Sequence, residues 1–214
     1  MNADQVATLR ALLAPTGWLD RTALFAAALR RTAQTPHGLL IVGTAEDEPW
    51  HMTAHLADES RLAGLPGLEP TLIRWAPPAG APGHLSVSLD RLREASRRET
   101  LLVVSGQLAP AELLERVSDV RRLGATVFAL DQGDPELESI AHEALPVRQA
   151  DAPVTFDAAQ HLVSATATEI PGADGEPRQH RGDRGPRYPR SAPEPGLRGR
   201  LARLLDTVTG TQPD

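Results

Sequence analysis

The chain has 214 residues, 41% of them hydrophobic, no cysteine, and a formal net charge of −6. That composition supports one domain with a proper core and excludes disulfides, thiolate metal sites and cysteine nucleophiles. Residues 1–170 carry 14 Arg against 22 acids, residues 171–214 carry 8 Arg against 6, and an acidic body is a poor general partner for nucleic acid.

Residues 3–13 and 20–33 read as two helices, with Val6, Leu9, Leu12 and Leu13, then Leu24, Phe25, Ala28 and Leu29 at helical spacing. Asp20 is the expected N-cap of the second. The pattern then changes. GLLIVGT (38–44) is a short, continuous apolar run, as expected of a strand buried on both faces. A helix is expected from about Pro49 to Ala63, a strand at TLIRWAP (71–77), a helix at 85–98 and a strand at TLLVVSG (100–106). The clearest helix is 109–124, opened by Pro110, lined by Leu113, Leu114, Val117 and Val120, and ended by Gly124. Strand 125–131, helix 134–143, short strand 144–147 and closing helix 154–170 complete the series.

Gaps of a dozen residues or more between strands supply the crossovers that parallel strands need. The expectation is an α/β fold, a three-layer α-β-α arrangement around a five-stranded parallel sheet, over 1–170. Residues 171–195 are rich in Pro, Gly and Arg, have almost no apolar side chains, and read as a disordered linker. Residues 196–210 read as an amphipathic helix with Leu197, Leu201, Leu204, Leu205 and Val208 on one face. That face could dock on the domain itself, on a second subunit or on another protein. No apolar run approaches the ~20 residues of a membrane helix, and the first twenty residues lack a signal-peptide pattern. A cytoplasmic protein is expected. The Arg-only basic set, with abundant Ala, Gly and Pro, reads as the codon bias of a GC-rich bacterial genome.

Two stretches carry a resemblance. LLIVGTAEDEPWHMTAHLADESRLAG (39–64) resembles the first strand, ligand loop and helix of SIS (sugar isomerase) domains, and ETLLVVSGQLAPAELLERVSDVRRLGATVFALDQGDPELESIAHEALPV (99–147) resembles the portion that follows. The resemblance covers roughly 20–170. It implies a flavodoxin-like sheet, a phosphosugar taken at the carboxyl ends of the strands, and a homodimer. Carried over by position, the implied ligand contacts are Gly43, Thr44, Ser105, Gly106 and Gln107, acting through hydroxyls and backbone N–H groups. Two departures matter. The family's S-x-S-G-x-T loop keeps only Ser105, and the loop after the first strand carries Glu46, Asp47 and Glu48, which would repel a phosphate. The expected function is therefore a carbohydrate-derivative binding domain with eroded phosphate loops, non-catalytic or regulatory. One alternative is a dimeric assembly or interaction protein without a sugar ligand, recruiting a partner through 196–210. Another is an active sugar-phosphate isomerase.

Other constellations are weaker. His51 and His55 lie i,i+4, a spacing that suits metal ligation, but H-M-T-A-H lacks the glutamate of H-E-x-x-H. They are read as surface or partly buried histidines, and no metal or cofactor is expected. Asp157 and His161 share the same spacing, with His161 read as an interface or core-edge residue. His142 beside Glu143 is read as a helix C-terminal cap. The 46–48 run is either a helix-start charge run or a recognition element for a cationic or hydroxyl-rich ligand. Ser105 has no G-x-S-x-G elbow, Gly43 no G-x-G-x-x-G, and the Arg178–Arg190 tract with Tyr188 reads as solvated linker.

Overall fold

Strand side chains alternate between faces, and here both faces are apolar. In strand β1 (Leu39–Val42), Leu39 and Ile41 enter one core and Leu40 and Val42 the other. The same division runs through β3 (Thr100–Ser105) and β4 (Thr126–Asp131): Leu102, Val104, Phe128 and Leu130 face one side, Leu101, Val103, Val127 and Ala129 the other. With β2 (Pro70–Ile73) and β5 (Glu143–Pro146) they form one five-stranded, all-parallel sheet of order 2-1-3-4-5, the flavodoxin-like arrangement. The structure is a computed structural model and describes Leu13, residues 16–148 and residues 154–169.

Helices cover both faces. On the first, α1 (Trp18–Thr32), α2 (Trp50–Ala63) and α5 (Phe156–Thr168) bring in Phe25, Leu29, Met52, Leu56, Leu162 and Val163, with α5 packed against both α1 and α2. Phe25 meets Phe128 edge to face, with ring centroids 5.3 Å apart. On the second, α3 (Ala111–Leu123) and α4 (Pro135–Ile140) contribute Leu113, Val117, Val120 and Leu137. At about 1.5–3 kcal/mol for each fully buried large aliphatic, these two cores dominate the favourable side of folding.

Three local expectations are corrected. Helix α1 starts at Trp18, where Thr16 Oγ1 accepts from the Trp18 amide (3.2 Å), so Asp20 falls in the first turn and is not the cap. The helix expected at 85–98 is two short 3₁₀ segments, Gly83–Leu85 and Leu89–Glu94. Between them Val87 accepts from the Arg74 amide (2.8 Å) and Ser88 bridges Arg74 in parallel, so this stretch extends the edge beyond β2 instead of coiling. Helix α4 ends at Ile140, not 143: the Val127 amide donates to His142 Nδ1 (2.9 Å) and the His142 amide to Val127 O (2.8 Å), which turns His142 into a β-pairing residue and not a helix cap. Helix 3–13 (apart from Leu13), the 171–195 linker, the Arg178–Arg190 tract and helix 196–210 lie outside the described residues. Among those described, no helix is long and apolar enough to cross a membrane.

Candidate functional site

Open parallel sheets take ligands beyond the carboxyl ends of their strands, where the strand order reverses. In order 2-1-3-4-5 that point lies between β1 and β3, so the expected contacts Gly43, Thr44, Ser105, Gly106 and Gln107 do converge there. Their chemistry, however, is turned inward. Thr44 is fully buried, and its Oγ1 accepts from the Asp47 amide (3.2 Å) and from Gln107 Nε2 (3.1 Å). Ser105, also fully buried, donates its hydroxyl to Gln107 O (2.5 Å). A Cβ on Gly43 would fall 2.3 Å from Asp47 O and 2.6 Å from Pro49 Cδ, so glycine is needed there for the loop after β1 to fold back over the strand end. At Gly106 a Cβ would meet Asp47 Oδ2 at 3.3 Å and the Phe156 ring at 3.4 Å. The protein's own loop and the first turn of α5 occupy the switch point.

Backbone donors on the far side are also taken. The Ala109 amide, just ahead of α3, donates to Asp134 Oδ2 (2.7 Å). Asp134 Oδ1 in turn caps α4 by accepting from the Glu136 and Leu137 amides. Asp131, at the end of β4, accepts from the Gly133 (2.6 Å) and Asp134 (2.8 Å) amides through Oδ1, while its buried Oδ2 has no partner. Burial pushes the Asp131 carboxyl above its usual 3.8; the Asp134 and Gly133 amides oppose this, and the nearby charges of Glu138 and Asp134 reinforce it. Internal carboxylates thus meet the amides of Ala109, Gly133, Asp134, Glu136 and Leu137 around the ends of β3 and β4. The sequence did not assign Asp131 or Asp134 to the switch point, because a strand-terminal Asp and an N-cap Asp are common without a site.

Open space also lies one strand over, beside β1 and β2. A hollow of about 420 Å³ is lined by Glu46, Asp47, Glu48, Trp50, Arg74 and Trp75, with Ala45 and Ala76. Glu48 organises it. Its Oε1 accepts from the Trp75 amide (3.0 Å), and its Oε2 accepts from Arg74 Nε (2.9 Å) and Trp50 Nε1 (3.0 Å). The Arg74 guanidinium lies 4.3 Å from the centre of the Trp50 ring, and Trp75 Nε1 donates to Gly43 O (2.9 Å). The 46–48 run therefore has two fates: Glu48 is tied into the fold, while Glu46 and Asp47 stay exposed at the rim. Two of the chain's three tryptophans line this hollow, a convergence that the sequence spacing of Trp50 and Trp75 does not reveal.

Elsewhere on the first face, His51 and His55 of α2 meet Asp157 and His161 of α5. No family model matches the chain, and no curated protein matches it at a significant level.

Proposed function

We propose that this chain is a non-catalytic binding domain for a carbohydrate derivative, related to SIS domains, that takes its ligand in the Trp50–Trp75 hollow and not in a phosphate loop. The observation that carries this reading is a ligand-sized hollow at the carboxyl edge of a parallel sheet, walled by two indoles and rimmed by carboxylates. Indole faces pack against the C–H face of a pyranose, while carboxylates and a guanidinium exchange hydrogen bonds with its hydroxyls. The rim carboxylates of Glu46 and Asp47 disfavour phosphate and favour a neutral or amino sugar. The inward-turned hydroxyls of Thr44 and Ser105 weigh against the isomerase alternative. On this reading the protein is a homodimer, as the SIS resemblance implies, and acts in the cytoplasm.

Thermal shift and tryptophan fluorescence titrations with neutral hexoses, amino sugars and sugar phosphates test it. Stabilisation by a neutral or amino sugar, abolished in Trp50→Ala, is expected. A response to sugar phosphates alone, unchanged in Trp50→Ala, overturns the placement. The closed switch point also favours a second reading, a dimeric assembly domain without a sugar ligand. That reading predicts no response to any sugar and a ligand-free dimer in native mass spectrometry.

A further inference from the structure

Three of the chain's seven histidines meet at one point. His51 and His55 stand one turn apart at the start of α2, and His161 comes from the second turn of α5. One ring nitrogen of each lies within 4.8 Å of the other two. The ring centroids are 4.5–4.7 Å apart in every pairing, and His51 Nε2 lies 2.9 Å from His55 Nε2. Asp157, one turn before His161, places its Oδ1 3.8 Å from His51 Nδ1 and its Oδ2 3.8 Å from His161 Nε2.

From this convergence we infer a divalent transition-metal site in which His51, His55 and His161 are the ligands and Asp157 fills a fourth position or orients His51 through its Nδ1–H. The site is independent of the sugar-binding reading. Several observations support it. His161 Nε2 is buried and has no hydrogen-bond partner, although its side chain, 11% exposed, faces the two other rings. A buried unpaired ring nitrogen is costly, and a metal would satisfy it. Access comes from the other side, since the His51 and Asp157 side chains are 57% and 54% exposed.

The donor set selects the ion. Three imidazoles and a carboxylate, with no thiolate, suit zinc, cobalt or nickel, whereas calcium and magnesium prefer oxygen ligands throughout. Nitrogens of a tetrahedral zinc site stand roughly 3.3 Å apart, given Zn–N bonds of about 2.0–2.1 Å. Small side-chain rotations would bring the three rings to that spacing. A bound ion would pin the first two turns of α2 and α5 together, and with them Phe156, which covers Gly106 at the switch point.

The test is a Zn²⁺ titration of the full chain by calorimetry and by competition with a chromophoric chelator, with visible spectra of the Co²⁺ form. One ion per chain and a rise in melting temperature are expected. His51→Ala and His55→Ala, both at reachable positions, should each weaken binding by about 10-fold or more, and Asp157→Asn by about 10-fold. The double variant should lose the Co²⁺ spectrum, while His84→Ala, on the exposed 3₁₀ segment, should change nothing. His161→Ala, which removes a largely buried side chain on the first face, is not needed, because the His51 and His55 variants decide the outcome. Equal Zn²⁺ affinity in wild type and the His51→Ala/His55→Ala double variant, or no binding up to millimolar Zn²⁺, overturns the site and leaves the three rings as ordinary packing.

Discussion

Asp131 shows how one carboxylate can stabilise a turn and still cost stability as an ion. Its Oδ1 accepts two amides in the turn that leads into α4, and its buried Oδ2 accepts nothing. Because folding raises the carboxyl above 3.8, the folded state binds more protons than the unfolded chain between that value and the raised one. Stability from this group is therefore greatest below 3.8, falls as pH rises through the window, and is flat above it. Asp131→Asn keeps an oxygen for both amides but cannot ionise. The difference in melting temperature between wild type and Asp131→Asn, followed from pH 3.5 to 7 in steps of about half a unit, should shift in favour of Asn as pH rises. A pH-independent difference would mean that the carboxyl is not shifted. Asp131→Ala, which strips both amides of their acceptor, should cost about 1–3 kcal/mol in urea melts at neutral pH.

Asp134 works between elements. One oxygen caps α4, and the other holds the Ala109 amide ahead of α3, so a single side chain couples the loops that follow β3 and β4. Asp134→Ala should lose the cap, about 0.5–2 kcal/mol, and leave the buried Ala109 amide unpaired, a further 1–3 kcal/mol or so. Asp134→Asn retains an oxygen for one of these roles and should recover part of the loss in the same denaturant titration. The N-cap itself was legible, since Asp134 precedes Pro135 at a helix start, but its second bond spans 25 residues and has no sequence signal. The same limit runs through the rest of the molecule. Continuous apolar runs such as Leu39–Val42 and Leu101–Val104 announced strands buried on both faces, and the helix ended by Gly124 was equally plain. The helix expected at 85–98 failed because Val87 and Ser88 are claimed by the end of β2, a tertiary contact that overrides the local spacing of Leu89 and Leu92. At the candidate sites each i,i+4 histidine or Asp–His pair was visible on its own helix, but the meeting of α2 and α5 depends on how the first face packs. The positions of Thr44 and Ser105 were likewise readable, whereas the inward turn of their hydroxyls follows from where the Asp47 loop and Gln107 come to rest.

For the whole molecule, the strand order assigns each strand a different share of the cooperative core. In β3 and β4 nearly every residue is buried, and each strand pairs on both edges. β1 is also buried throughout and paired on both edges, but it has only four residues. The outer strands differ. β2 buries Leu72 and Ile73 but leaves Pro70 and Thr71 half-buried, and β5 exposes Glu143 and Ala144, each pairing along one edge. Amides open locally where few apolar contacts must be broken, and only by global unfolding where the strand is sealed on every side. Native-state hydrogen exchange should therefore rank the sheet as β3 and β4 slowest, β1 next, and β2 and β5 fastest. Protection in β3 and β4 should fall with added denaturant at the slope of global unfolding, while protection in β5 should be nearly insensitive to it. If β5 instead exchanged only with the global transition, its pairing to β4 would have to be reinforced by contacts beyond Leu145 and Val147, the two buried residues through which this end of the sheet joins the first core.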